Sequence, residues 1–452
     1  MSVLEPRVAV VGAGLAGLAA TVSLKKSNAH VTVHERTRLL GGKATSYEVD
    51  GVEVDNGQHV VLDCCTEFLD FVDELGCRSW MRIQPVFDVH ILARGRGSSR
   101  LRAAPLPAPL HLLPSFALYR HLGVSDKLRV ARALLAARRT SRARGDMATW
   151  LREHGQTGAS RAAFWDPFLV PALNAPLEDC SAEAGLFVIR TAFLSSRKAA
   201  RIGYSTVPLE RIARVAAGRA DEVRMRSTVA SIAVSGGAVS IRTDGGEEHT
   251  YDAVVLAVPP RRLAAILGAP ERFGITALSA FHTEPIVDVH LWYGTGGARV
   301  LGDAGFAALL DSPVQWVFEK APGYMCCSLS AARAAVGRPD TELIDLCAGE
   351  LAAVIPGLRG AALVSAAATR DADATFVPSP GLARPGVRTT VPNVVIAGSW
   401  TDTGWPATME SAVRSGRAAA AALRPALERA ASDPARRSTT SEYAEEVVAH
   451  AV

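Results

Sequence analysis

The stretch that most constrains the fold is RVAVVGAGLAGLAATVSLKK, residues 7–26. Val8 to Val11 read as a buried parallel strand. Gly12, Gly14 and Gly17 form G-x-G-x-x-G where that strand turns into a helix. Gly12 permits the tight turn, Gly14 lets backbone approach a pyrophosphate, and Gly17 lets helix pack on strand. Ala13, Leu15 and Ala16 between them belong to the same phosphate loop. An Ala/Leu helix follows, then a second strand, HVTVHE. It ends in Glu35, 23 residues past Gly12 and next to Arg36, where an acidic side chain can bind an adenosine ribose hydroxyl. Strand, glycine turn, helix, strand and acid in that order predict an α/β dinucleotide-binding fold. They do not choose between NAD and FAD.

The chain of 452 residues predicts two or more domains, or one long interleaved pair. With 48% apolar and 21% charged residues it has the makings of a substantial core. A net charge of +4 does not imply nucleic acid. The seven cysteines include no C-x-x-C pair, only the doublets Cys64-Cys65 and Cys326-Cys327. They read as reduced, mostly buried thiols of a cytoplasmic protein, with neither a disulfide framework nor a metal site. The chain enters a strand at once, so no secretory leader is expected. No apolar run reaches the roughly 18–20 residues that cross a bilayer.

The next segment, ERTRLLGGKATSY, places Gly41, Gly42 and Lys43 six to eight residues after Glu35. This resembles the flavoprotein amine oxidase and carotenoid desaturase superfamily, which carries a Gly-Gly-Arg signature there. The resemblance implies FAD, with Gly41, Gly42 and a cation completing its pyrophosphate site. Lys43 stands where Arg is usual; it still neutralises phosphate but lacks the bidentate fork. Near the other end, AGSWTDTGWPATMESAVRSGRAAAA runs from a short strand, Val394 to Ala397, through Gly398 and a turn with Gly404 and Pro406 into an Ala-rich helix. In the superfamily such a segment closes over the ribityl chain and isoalloxazine. Gly398 and Ser399 would meet the ribityl-diphosphate. Thr408 and Met409 would bring a helix N-terminus to the flavin N1/O2 edge. Many relatives have Asp at position 399; Asp402 is the candidate substitute for the Ser399 found here.

The implied fold is a Rossmann-like FAD-binding domain of glutathione-reductase type, interleaved with a mixed α+β substrate domain. The FAD domain takes residues 1–75, 206–261 and 387–425. The block 227–260 reads as strands with Gly-Gly turns, and Val229 is expected to offer backbone to the adenine. Residues 76–205 and 262–386 build the substrate domain, and 426–452 form a mobile tail. Between Arg94 and Arg144 there are twelve Lys/Arg against one acid, Asp126. Apolar, Pro-broken sequence lies within that stretch, followed by a basic helical pattern. Basic plus apolar without a span suggests a surface lying on an anionic membrane, which makes the expected location peripheral to the inner membrane. A solvated basic helix packed on the protein is the alternative. No aromatic-basic interleaving supports nucleic acid.

No second G-x-G-x-x-G follows a strand, so the electron donor or acceptor is external. No redox cysteine pair sits at a nucleotide turn, which argues against a disulfide reductase. Four segments are more specific. VDNGQHVVL holds Gly57, Gln58 and His59, which match the superfamily's flavin-edge segment. FWDPFLVPALNAPLEDCSAEAG, GYSTVPLERI and WTDTGWPATMESAVRSG are the others. Together they resemble the squalene-associated FAD-dependent desaturase-like enzymes of hopanoid pathways, the hydroxysqualene dehydroxylases, over residues 7–425. That implies reductive removal of the hydroxyl of hydroxysqualene to give squalene, beside a hydroxysqualene synthase and a presqualene diphosphate synthase. Hydroxide leaves poorly, so an acid is needed. Asp166 and His59 are the candidates, with a turn cap and a structural histidine as their plainer roles. Phe164, Trp165, Phe168 and Trp405 are candidates to line an apolar tunnel. A carotenoid or squalene-type desaturase, an amine oxidase and a non-catalytic flavin-binding scaffold of a polyprenyl assembly are the rival readings.

Overall fold

The computed structural model describes residues 5–49 and 51–432. A five-stranded parallel sheet carries the nucleotide turn. From one edge to the other its strands are Glu222–Met225, His30–Glu35, Arg7–Val11, Ala253–Leu256 and Val394–Ile396. Three widely separated stretches of chain therefore pair side by side, with Val10 opposite Val33 and Val255, and Val255 opposite Val395. Val8 to Val11, Ala253–Leu256 and Val394–Ile396 are continuous buried apolar runs because both faces are covered there, whereas the edge strand Glu222–Met225 is partly exposed.

Helix Leu15–Lys25 packs on one face and is buried along almost its whole length. The C-terminal helix Met409–Ser432 lies across it. The approach is so close that a Cβ on Gly416 would stand 2.1 Å from the Ala16 carbonyl oxygen. Small residues on the face of this helix that meets helix Leu15–Lys25 are thus a packing requirement. The helix continues past residue 425 to Ser432; the expected tail beyond it, 433–452, lies outside the described residues. The block 227–260 forms the antiparallel sheet Val229–Ser235, Ala238–Thr243 and Glu248–Tyr251, then the buried strand Ala253–Leu256. Gly236 and Gly237, with φ of 57° and 82°, make its first hairpin turn.

A second, seven-stranded sheet takes its strands from two stretches, residues 88–102 and 283–376. Its order is Leu363–Phe376, Thr283–Tyr293, Tyr324–Leu329, Trp316–Ala321, Phe306–Leu310, Asp88–Ala93 and Gly97–Arg102. Alternation along the strands divides its faces. Val287, Val289, Met325, Cys327 and Leu329 pack against helix Asp340–Val354. Ile286, Trp316, Phe318, Ser328 and Ser330 face a cavity shared with the nucleotide sheet. The basic stretch forms strand Gly97–Arg102, a broken pair of short helices over residues 110–117, and helix Val124–Arg139.

Candidate active site

A cavity of about 1240 Å³ runs from the nucleotide turn to the seven-stranded sheet. That exceeds the roughly 300–1,000 Å³ of common small-molecule sites and suits a dinucleotide plus an apolar ligand. One end is a backbone cradle. Gly12 has φ +103°, and a Cβ there would meet the Ala257 carbonyl oxygen at 2.5 Å. A Cβ on Gly17 would stand 2.0 Å from the Gly12 carbonyl oxygen, so this glycine sets helix on turn. Gly14 differs: its φ is −74°, it caps the helix without any side-chain bond, and it faces Gly42 across the cavity wall. The first N–H groups of the helix are thus left for an anion, as a dinucleotide phosphate requires.

The acid lies where the spacing puts it. Glu35 lines the cavity, one carboxylate oxygen accepting from the Ala13 N–H at 2.9 Å and the other from the Thr37 N–H at 2.8 Å and its hydroxyl at 2.9 Å. A carboxylate accepts about four bonds, so one position remains for a ribose hydroxyl. Arg36 also lines the cavity, as do Leu15, Ala16, Gly41 and Val229; the Val229 carbonyl is held by Arg262 at 2.9 Å. Ala13 and Gly17 sit behind the wall. Lys43 reaches the cavity, but its ammonium is bonded to the Asp371 carboxylate of the other sheet at 3.0 Å. These residues fit FAD: a side-chain-free cradle, an acid with spare acceptor capacity, and a long enough cavity.

At the closing segment, Gly398, Ser399, Thr408 and Met409 line the cavity. Thr408 caps the C-terminal helix through the Ser411 N–H at 3.2 Å. Asp402 does not join them. It is exposed, its N–H donates to the Pro385 carbonyl, and its carboxylate accepts from the Gly404 N–H. Asp402 shapes a surface turn, and Ser399 rather than Asp402 lines the cavity. The organiser of this loop is Arg384, which sequence reasoning missed. Its guanidinium donates to the carbonyls of Ser399, Trp400, Thr401 and Trp405 and lies over the Phe376 ring. The one available signal was a lone arginine in the Pro/Gly-rich run PSPGLARPG. Glu410 was also missed. It is buried at the cavity edge, accepts from the Phe68 and Glu67 N–H groups, and pairs with Arg414.

The reacting end separates the two candidate acids. Gln58 and His59 line the cavity beside Gly57. The His59 Nδ1 bonds the Gly57 carbonyl at 3.1 Å, which makes Nδ1 the protonated nitrogen of the neutral ring. Burial pushes its pKa below the ordinary histidine value, so it is neutral at pH 7 and ill suited to donate a proton. Asp166 is not in the cavity wall. A π-helical turn, Arg161–Trp165, precedes it and sets the phase of helix Asp166–Leu173. That helix shows the cavity Phe168, Pro171 and Ala172, while Asp166 turns away to Arg161 at 3.3 Å. Phe168 and Trp405 line the cavity; Phe164 and Trp165 are core, with the Trp165 indole bonded to Gln156. Phe87, Phe193, Trp316 and Phe318 complete an aromatic arm that single residues in the sequence did not announce.

With that geometry in place, comparison with known proteins is direct. The family model for flavin-containing amine oxidoreductases matches residues 15–424. A hydroxysqualene dehydroxylase of Rhodopseudomonas palustris is 30% identical over 92% of this chain and 98% of its own. A zeta-carotene desaturase of Arabidopsis thaliana is 24% identical over 91% of this chain and 84% of its own. Among solved structures, putrescine oxidase bound to putrescine superposes with a TM-score of 0.69 at 17% identity, covering 93% of this chain and 99% of that one.

Proposed function

The chain belongs to the flavin-containing amine oxidoreductase family and is an FAD-dependent oxidoreductase, and from that premise we propose that it reductively removes the hydroxyl of hydroxysqualene to give squalene. The observation that carries this reading is the aromatic arm. Beyond the nucleotide cradle the cavity is walled by Phe87, Phe168, Phe193, Trp316 and Phe318. Such walls suit a long hydrocarbon, and their π faces stabilise an allylic cation once water is excluded. When bound and reduced, FAD supplies the hydride. The protein's part is to hold the chain, keep water out and deliver a proton to the leaving oxygen.

The test is anaerobic: the purified, reduced protein is given hydroxysqualene and squalene is assayed by mass. Squalene formed as the flavin reoxidises establishes the reaction. No squalene, but bleaching of the oxidised flavin by squalene or a carotenoid precursor, would make it a desaturase, the second reading favoured by the 24% identical zeta-carotene desaturase. No turnover with either would leave an amine oxidase or a scaffold. The reductant is external, and a hydroxysqualene synthase and a presqualene diphosphate synthase are the proposed neighbours.

A membrane surface is the proposed source of the substrate. Among the described residues no helix is long and apolar enough to cross a membrane. Yet within the basic stretch Leu118 and Val124 are 79% and 74% exposed, and Leu110, Leu113, Leu128 and Leu135 each exceed 50%. Arg120, Arg129, Arg132, Arg138 and Arg139 are exposed among them. Exposed leucines with arginines favour an anionic lipid surface. The protein is expected to float with vesicles containing anionic phospholipid and not with neutral ones. Leu118→Glu/Leu128→Glu should abolish flotation while leaving the flavin spectrum unchanged; retained flotation would remove this surface from the proposal.

A further inference from the structure

With Asp166 turned away and His59 neutral, the leaving hydroxyl lacks an acid. We propose that Asp288 is the proton source, passing its proton through the Ser328 hydroxyl into the cavity. This rests on the dehydroxylase reading. Asp288 and Ser328 are directly paired on neighbouring antiparallel strands, with side chains on the cavity face of the seven-stranded sheet. Ser328 lines the cavity, and its side chain stands beside the Asp288 carboxylate and acts on it electrostatically. Asp288 itself is 1% exposed and lies under the flavin-edge segment. Its Oδ1 accepts from the Gln58 N–H at 3.1 Å, and its Oδ2 sits where a Cβ on Gly57 would come within 2.8 Å. Gly57 is thus glycine for two reasons: a φ of +104° and the carboxyl beneath it.

The surroundings favour a held proton. The Cys326 thiol, pushed up by burial and so protonated, lies 3.8 Å from Oδ1. Lys320, a cation that acts on the carboxyl, is already paired with Asp55 at 3.2 Å. Tyr324 bonds His290 at 2.9 Å, and burial leaves that histidine neutral, its pKa lowered to about 4. Tyr47 is raised to about 12, and Thr369, beside Asp288 on the other strand, is uncharged. Burial therefore prevails and lifts the Asp288 pKa to about 6. An apolar occupant that displaces cavity water raises it further.

In the step, the Ser328 O–H proton passes to the substrate hydroxyl as the Asp288 proton passes to Ser328 Oγ. The C–O bond breaks and its electron pair leaves with water; reduced FAD, which the Gly12–Gly17 turn and Glu35 would hold, would supply the hydride that completes the reduction. Asp288 is left a carboxylate and is reprotonated from solvent. As an acid it works protonated, so turnover is present below its pKa and falls as pH rises through it.

The test compares the FAD-loaded wild type with Asp288→Asn, whose amide oxygen still accepts from Gln58. Flavin loading and spectrum should be unchanged, while kcat on hydroxysqualene falls at least about 100-fold. The alkaline limb of the pH profile should vanish. An analogue whose hydroxyl is replaced by a leaving group that needs no proton should turn over at the wild-type rate. Ser328→Ala should behave alike, and Asp288→Glu should recover part of the rate. Independently of turnover, the infrared band of a protonated carboxyl should disappear as pH is raised and be missing from Asp288→Asn. Near-normal turnover of that variant, equal loss on both substrates, or no such band in the wild type would overturn the proposal. A wild type that makes no squalene at all would instead overturn the dehydroxylase reading, and this proposal with it.

Discussion

Gly14→Val is expected to give a folded protein that does not retain FAD. The reason is that Gly14, unlike the other glycines of its motif, is not held by packing. Its φ of −74° and ψ of 171° lie in the region open to valine. A Cβ there would meet only Gly42 Cα at 3.8 Å and the Gly41 carbonyl oxygen at 4.0 Å, which is ordinary contact. What the side chain would occupy is the cavity itself, at the N-terminus of helix Leu15–Lys25, where a pyrophosphate must sit against backbone. Circular dichroism and thermal unfolding without flavin should match the wild type. FAD affinity should fall by at least about 100-fold, roughly 3 kcal/mol. A yellow, stoichiometrically loaded variant would show that the pyrophosphate does not lie against this turn.

How much of this was legible depended on whether the constraint was local. Gly17 is fixed by the Gly12 carbonyl within one strand, turn and helix, and Gly12 by a φ of +103° at that turn, so their spacing in the sequence announced their roles. Glu35 was legible because strand length fixes where a second strand ends. The acid of the site was not. Asp166 looked suitable beside Trp165 and Pro167, but a π-turn, which the residues do not advertise, rotates the helix and sends the carboxylate to Arg161. Asp288 meets Ser328 only through the register of two strands, and meets Gly57 only through the packing of two sheets. Lys43 carried the expected charge, yet Asp371, which holds it, is 328 residues away. Arg384 likewise acts on the carbonyls of a loop some 15–21 residues further on, and no periodicity encodes such a contact.

The junction between the chain's two ends makes the second large prediction, because two general rules disagree about its sign. Gly416 lies inside helix Met409–Ser432, and helix propensity alone says that Gly416→Ala should stabilise by about 1 kcal/mol. Packing says the reverse. The added Cβ would stand 2.1 Å from the Ala16 carbonyl oxygen and 2.9 Å from the Ala20 amide nitrogen. Both are backbone atoms of a buried helix, so no rotamer change relieves the clash and the helices must separate. Gly416→Ala should therefore lose roughly 1–3 kcal/mol net. Because Ala16 also belongs to the phosphate turn, FAD binding should weaken with it. Gly349 supplies the control: it is exposed within helix Asp340–Val354, with nothing within 4 Å of its would-be Cβ. There Gly349→Ala should stabilise by about 0.5–1 kcal/mol and leave the flavin untouched. Denaturant unfolding of both variants decides the matter. Opposite signs would establish that the C-terminal helix is clamped to the nucleotide turn, and gains of equal size would mean that the two helices do not meet as closely as Gly416 requires.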